Sequence, residues 1–154
     1  MKKTSNASGL NFAHARTPEQ KAQMERIRKE GICPFCPEHL KANHRAPIEW
    51  KGRHWAITKN DYPYAGTALH YLAISTSHMT KIAQISDEAF AELGRHMKRI
   101  SKRNRLPGGV LVMRFGDTKR TGATIEHVHA HLIAGGPLSP KAEKIKVTVG
   151  YKKK

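Results

Sequence analysis

Three histidines alternate in His127-Val128-His129-Ala130-His131. In a β-strand successive side chains point to opposite faces, so the three imidazoles share one side at intervals of about 7 Å. Val128, Ala130 and Leu132 then face the other way, as on a half-buried strand. Imidazole exchanges protons near neutral pH, ligates metals and acts as a nucleophile. A row of three on one strand face reads as an active site, with metal, base and nucleophile all open as roles. The second chemical feature is Cys33-Pro34-Phe35-Cys36, which holds both cysteines of the chain. That spacing points to a thiolate metal site or a redox pair more than to a structural disulfide. Zinc on two thiolates needs two further ligands, and His39 and His44 stand nearby in sequence.

The elements that must position these groups are legible in outline. Residues 1–16 are polar and basic without periodicity, as in a flexible arm. Thr17-Pro18-Glu19-Gln20 opens a helix, with Thr as N-cap and Pro at the first helical position, predicted to stop at Gly31. Its thin apolar content (Ala22, Met24, Ile27) places it on the surface or against a partner. The Cys pair sits in a compact loop from Ile32 to Arg45. Ile48 to Lys51 and His54 to Lys59 form a hairpin around Lys51-Gly52-Arg53, and Leu69 to Ser75 is a third strand. Ser86 opens a long helix with an apolar stripe of Phe90, Leu93, Met97 and Ile100, acids early and bases late. Val110 to Phe115, His127 to Ala134 and Ile145 to Tyr151 complete the strands. The prediction is an α+β chain: a mainly antiparallel sheet of five to six strands, one long helix and an N-terminal helix. A single domain spans 17–151, and 152–154 is a basic tail.

Twenty-eight Lys and Arg stand against 12 Asp and Glu, a formal charge of +16 with neutral histidines. Such a charge favours polyanionic ligands: nucleotides, phosphorylated metabolites or nonspecifically bound nucleic acid. No apolar run is long enough for a membrane span, and the N-terminus lacks the apolar stretch of a secretory signal, so the chain is expected to be cytoplasmic.

With the segments in place, the order of motifs resembles the histidine-triad (HIT) superfamily of nucleotide hydrolases and transferases. His127-Val-His-Ala-His-Leu-Ile133 resembles its triad strand. Asn60-Asp-Tyr-Pro-Tyr64 is similar to its Asn-x-x-Pro loop, and His70 through His78 to its strand with histidines eight apart. Cys33-Pro-Phe-Cys36 looks like the zinc pair of one branch. The resemblance implies that a purine nucleotide is attacked at its α-phosphorus by His129, giving a covalent nucleotidyl-histidine. It implies that His131 serves the phosphate or leaving group, that His70 lies near the α-phosphate and that Asn60 contacts the ribose. Gly122 and Thr124 are candidates for hydrogen bonds to phosphate, and Lys119 and Arg120 for contact with polyphosphate, since their loop leads into the site. It also implies a structural zinc on Cys33, Cys36, His78 and His127, no metal in the chemistry, and a homodimer formed through the long helix and an adjoining strand.

Two departures leave the acceptor open. Ala123 stands where many members carry Gln, giving the Gly-Ala-Thr of the phosphorylase and uridylyltransferase branches, yet His131 is retained where those branches have Gln. Ser75 also stands where the family strand usually has Pro. Expected substrates are nucleoside phosphoramidates, dinucleoside polyphosphates or adenylylated conjugates, cleaved by water or by phosphate. The competing expectations are a basic zinc protein that binds nucleic acid, and a HIT-type enzyme acting on adenylylated nucleic-acid ends.

Overall fold

A computed structural model describes residues 10–154 of the chain. Helix α1 (Pro18–Glu30) starts where the capping signal predicts, with Thr17 Oγ1 accepting from Gln20 N at 3.1 Å, and ends at Gly31 with φ 67°. That left-handed turn is cheap only for glycine. A short helix α2 (Pro37–Asn43) lies inside the stretch expected as loop. Its seven residues carry too few apolar positions to display a helical period. Strands β1 (Ile48–Lys51), β2 (Trp55–Lys59) and β3 (Leu69–Ser75) follow, then α3 (Asp87–Arg103), β4 (Val110–Arg114) and β5 (His129–Ala134). The five strands form one sheet in the order β1-β2-β3-β5-β4, with every neighbouring pair antiparallel.

Alternation along the strands divides the sheet into two unlike faces. One face packs under α3: Trp55, Ile57, Tyr71, Ala73, Val128 and Ala130 meet Ala89, Leu93 and Ile100. Trp55 Nε1 donates to the Ala89 carbonyl at 2.7 Å, and the Glu92 carboxylate accepts from the His54 and Trp55 amides, tying α3 to the β1–β2 turn. The other face carries Leu72 and Ile74 under Leu40 of α2 and Phe35, and it is this face that bears the triad. The expected stripe of α3 is corrected at one position: Phe90 is 41% exposed.

Residues 1–9 of the expected arm lie outside the described residues. From Leu10 onward the segment is docked rather than loose. Leu10 is buried, bridges to Ile125, and packs with Met24 and Ile27 of α1. The apolar face of α1 is therefore covered by the chain's own N-terminal segment. The sixth strand expected at Ile145 to Tyr151 does not form. Val149 and Tyr151 are exposed, and the Thr148 carbonyl is taken by the Arg114 side chain in place of a ladder partner. Among the described residues no helix is long and apolar enough to cross a membrane.

Candidate active site

β5 lies between β3 and β4, so both of its neighbours contribute to the triad face. Directly opposite residues of an antiparallel pair share a face, and the register places His129 beside Ile74 and Arg114, and His131 beside Leu72 and Val112. His70 joins them from β3, two residues from Leu72. His127 lies just before β5. Phe35 stands between the first two histidines, edge-on to His127 at 6.0 Å and to His129 at 5.2 Å.

On one side of Phe35 lies a four-residue cluster. Cys33 Sγ is 3.5 Å from His127 Nδ1, Cys36 Sγ is 3.3 Å from His78 Nδ1 and 4.0 Å from His127 Nδ1. All four donor atoms lie within 4.8 Å of one another. Zinc bonds of ordinary length make the edges of an S₂N₂ tetrahedron about 3.3–3.8 Å, so the set fits that ion. The His127 Nε2–H donates to the Ser75 carbonyl at 2.9 Å, the outer-shell contact that fixes a ligating imidazole. The ligands are those the resemblance implies. His39 and His44 are elsewhere, His39 beside Glu38 and His44 against Asp61 at 3.3 Å.

On the other side His129 and His131 line a pocket. His129 Nδ1–H donates to the His127 carbonyl at 2.6 Å, so its Nε2 carries the lone pair. Burial lowers its pKa to about 4, keeping the ring neutral. A second relay orders the other two rings. The Tyr64 amide donates to His70 Nδ1 at 3.2 Å, so His70 must be protonated on Nε2, which faces His131 Nδ1 at 2.8 Å. His131 is then protonated on Nε2, and that buried atom has no hydrogen-bond partner. Desolvation leads in holding both rings neutral, with Arg16 and Arg114 opposing their protonation: His70 falls to about 4, and His131 well below its ordinary value.

The folded chain therefore resists protons that the unfolded chain accepts. For His70 the unfolded group titrates near 6.5 and the folded one near 4, so in this window the unfolded state binds more protons and stability rises with pH. The contribution is fully present above about pH 6.5 and is lost as pH falls toward 4. His131 acts with the same sign. We expect the melting temperature to drop by several degrees between pH 7.5 and 5, with a shallower slope in His70→Asn; equal slopes would remove His70 from the account.

Asn60, Gly122 and Thr124 all line the pocket. Asn60 Oδ1 accepts from the Tyr62 amide, and its Nδ2 lies 3.1 Å from His70 Nε2. Lys119 and Arg120 are exposed and do not line the pocket. The cations there are Arg114 of β4 and Arg16, which sequence reasoning missed. Arg114 had a faint signal, as a charge ending an apolar strand run. Arg16, Tyr64 and the α1 residues Gln20, Gln23 and Met24 that also wall the pocket carry none, because only folding brings them to the triad.

No family model matches the chain, and no curated protein does. Solved structures do. A HIT family hydrolase from Clostridium thermocellum aligns with TM-score 0.52 and 20% identity over 66% of this chain and 90% of that one. A hypothetical histidine triad nucleotide-binding protein from Sulfolobus tokodaii gives 0.53 and 21% over 79% and 82%. A Zn-bound histidine triad family protein from Mycobacterium smegmatis gives 0.55 and 17% over 74% and 82%. At such identities the likeness speaks for architecture, and the architecture of this chain is the histidine-triad fold.

Proposed function

We propose that this chain is a histidine-triad enzyme of the zinc-bearing branch, a nucleotide hydrolase or nucleotidyl transferase that uses His129 as nucleophile on an α-phosphorus. One observation carries the reading: His129 sits in a pocket as a neutral ring whose Nδ1–H is anchored to the His127 carbonyl. The Nε2 lone pair can then form an N–P bond while the bond from phosphorus to the leaving group breaks, its electron pair going to the leaving group. The anchored Nδ1–H steadies the cationic ring so produced. His131 Nε2–H, with no protein partner, donates a hydrogen bond to a phosphate or leaving-group atom. Water or phosphate then forms the new P–O bond, the N–P pair returns to Nε2, and a water's proton is released to solvent. The names hydrolase and nucleotide-binding protein, borne by two of the similar structures, support this class. Asn60 is assigned to the ribose, and Gly122 and Thr124 to phosphate oxygens.

Zinc on Cys33, Cys36, His78 and His127 would have four protein ligands and no open position, hence a structural role. Reduced thiols in this set fit a cytoplasmic setting. The homodimer is assigned to the free edge of β4. Val110 and Leu111 are 56% and 51% exposed, and Phe115 and Phe90 add to the apolar surface. Light scattering should read the mass of two chains, and Leu111→Arg should halve it; a monomeric wild type would remove the assignment.

The enzyme reading is tested by a panel of AMP-N-ε-lysine, diadenosine polyphosphates, and ADP with phosphate. Nucleotide release from at least one member is expected. A chain inert on all of them would overturn it.

A further inference from the structure

Arg114 is buried, at 4% exposure, yet its hydrogen-bond partners among the described residues are neutral. Its Nη1 donates to the Thr148 carbonyl at 2.9 Å and its Nη2 to the Tyr64 hydroxyl at 2.8 Å. Among the described residues no carboxylate pairs with it, and residues 1–9 contain no Asp or Glu. A buried charge without a counter-charge is costly, and folded chains keep one mainly where something else supplies the opposite sign.

A second guanidinium stands beside it. Arg16, at the pocket rim, lies over the Tyr64 ring with its Cζ 4.7 Å from the centroid, donates to the Tyr62 carbonyl, and among the described residues forms no ion pair with a carboxylate. The Tyr64 ring is itself stacked on His131, with centroids 5.8 Å apart and planes at 16°. One tyrosine thus holds two cations against the histidine whose Nε2–H is buried and unpartnered. All five residues, His129 included, line the same pocket. The one carboxylate lining that pocket among the described residues, Asp61, accepts from the Arg45 and Ala46 amides and faces His44 at 3.3 Å, so it pairs with neither arginine.

We propose that Arg16, Arg114 and the His131 Nε2–H form a subsite for a phosphoryl dianion adjoining the phosphorus that His129 attacks. This rests on the nucleotidyl-transfer reading of the site. It narrows the substrate to a phosphoanhydride or the acceptor to free phosphate, since both present the same group. An amine leaving group would bring a cation toward two arginines. It would also need a full proton, which a neutral His131 could give only by becoming an imidazolate. A phosphate needs none: as the N–P bond forms at His129, the P–O electron pair moves onto the leaving oxygen, and the arginines hold the resulting anion. In the reverse sense, a bound phosphate oxygen forms the new P–O bond, and the N–P pair returns to His129 Nε2.

Calorimetry with inorganic pyrophosphate, AMP and ADP tests the subsite, on wild type and on Arg114→Gln and Arg16→Gln, the latter because a rim residue is safe for folding. ADP should bind at least tenfold tighter than AMP in wild type, and pyrophosphate alone should bind. Both preferences should shrink to under threefold in either variant that retains the wild-type circular dichroism spectrum. Equal binding of ADP and AMP, or a gap untouched in Arg16→Gln, overturns the proposal. Failure of all nucleotides to bind while pyrophosphate binds in an arginine-dependent way would keep the subsite and discard the nucleotide reading. Added phosphate separates the two sources. As acceptor it accelerates turnover and shifts the product from AMP to ADP; as a mimic of the substrate's own second phosphate it inhibits competitively. Absence of either effect in an enzyme that turns over phosphoanhydrides counts against the subsite.

Discussion

Replacing His129 with alanine or glycine abolishes nucleotide turnover, a loss of roughly a thousandfold or more, while AMP still binds within a few fold of wild type. The size follows from the role assigned to this ring. A residue that forms the covalent intermediate cannot be replaced by a better-placed neighbour, because the alternative is direct attack by water without an activated nucleophile. His131 cannot stand in for it, since its Nδ1 is spent on His70 and its Nε2 bears the proton. Binding persists because the walls of the pocket, among them Arg16, Arg114, Asn60 and Thr124, do not depend on the ring. Single-turnover trapping of radiolabelled nucleotide on acid-quenched protein gives a second readout: label is retained by wild type and absent from the variant. Turnover near the wild-type rate in His129→Ala would refute the mechanism.

Removal of zinc has the second largest expected effect, and on stability first. The protein purified without added metal should carry close to one zinc per chain by elemental analysis. A strong chelator should lower the melting temperature by about 10 °C or more, since binding energy at such a site is folding energy. The cluster joins three distant parts of the chain: the Cys33–Cys36 loop before α2, His78 beyond the end of β3, and His127 just ahead of β5. The carbonyl of His127 is also what anchors His129. Loss of the ion should therefore slow turnover as well, through the orientation of His129 and not through any chemistry of the metal. Cys33→Ser should reproduce both effects. Protein free of zinc as purified, with a melting temperature indifferent to chelation, would sink the site.

Much of this was legible beforehand, for reasons that can be named. The capping residues of α1 and α3 act within four residues, so Thr17, Ser86 and Gly31 mark the helix ends locally. Strand alternation is equally local, and it placed β1, β2, β3 and β4 within a residue or two. α2 was hidden because seven residues hold too little periodicity to register. The sixth strand was expected because Ile145, Val147 and Val149 alternate, but alternation supplies a face and not a neighbour to pair with. Lys119 and Arg120 sat close to the triad in sequence and fell on the surface. Loop proximity along the chain does not decide on which side of a loop a long side chain emerges.

The three alternating histidines and the Cys pair were written in the chain. Their types and spacing are local properties, enough to mark a candidate active site beside a candidate metal or redox pair, while phosphoryl chemistry entered only through the resemblance. The division of labour among the three rings belongs to the tertiary structure. His127 meets the cysteines because the loop before α2 folds onto it, and Phe35 from that same loop packs edge-on against both His127 and His129. His129 is neutral and aimed because it is buried against a backbone carbonyl. His131 has a free N–H because His70, sixty-one residues away, occupies its other nitrogen. The positive charge lining the pocket comes from Arg16 and Arg114, ninety-eight residues apart and both in contact with Tyr64. Hydrogen-bond direction and desolvation are set by neighbours in space, and a linear sequence does not say which residues those will be.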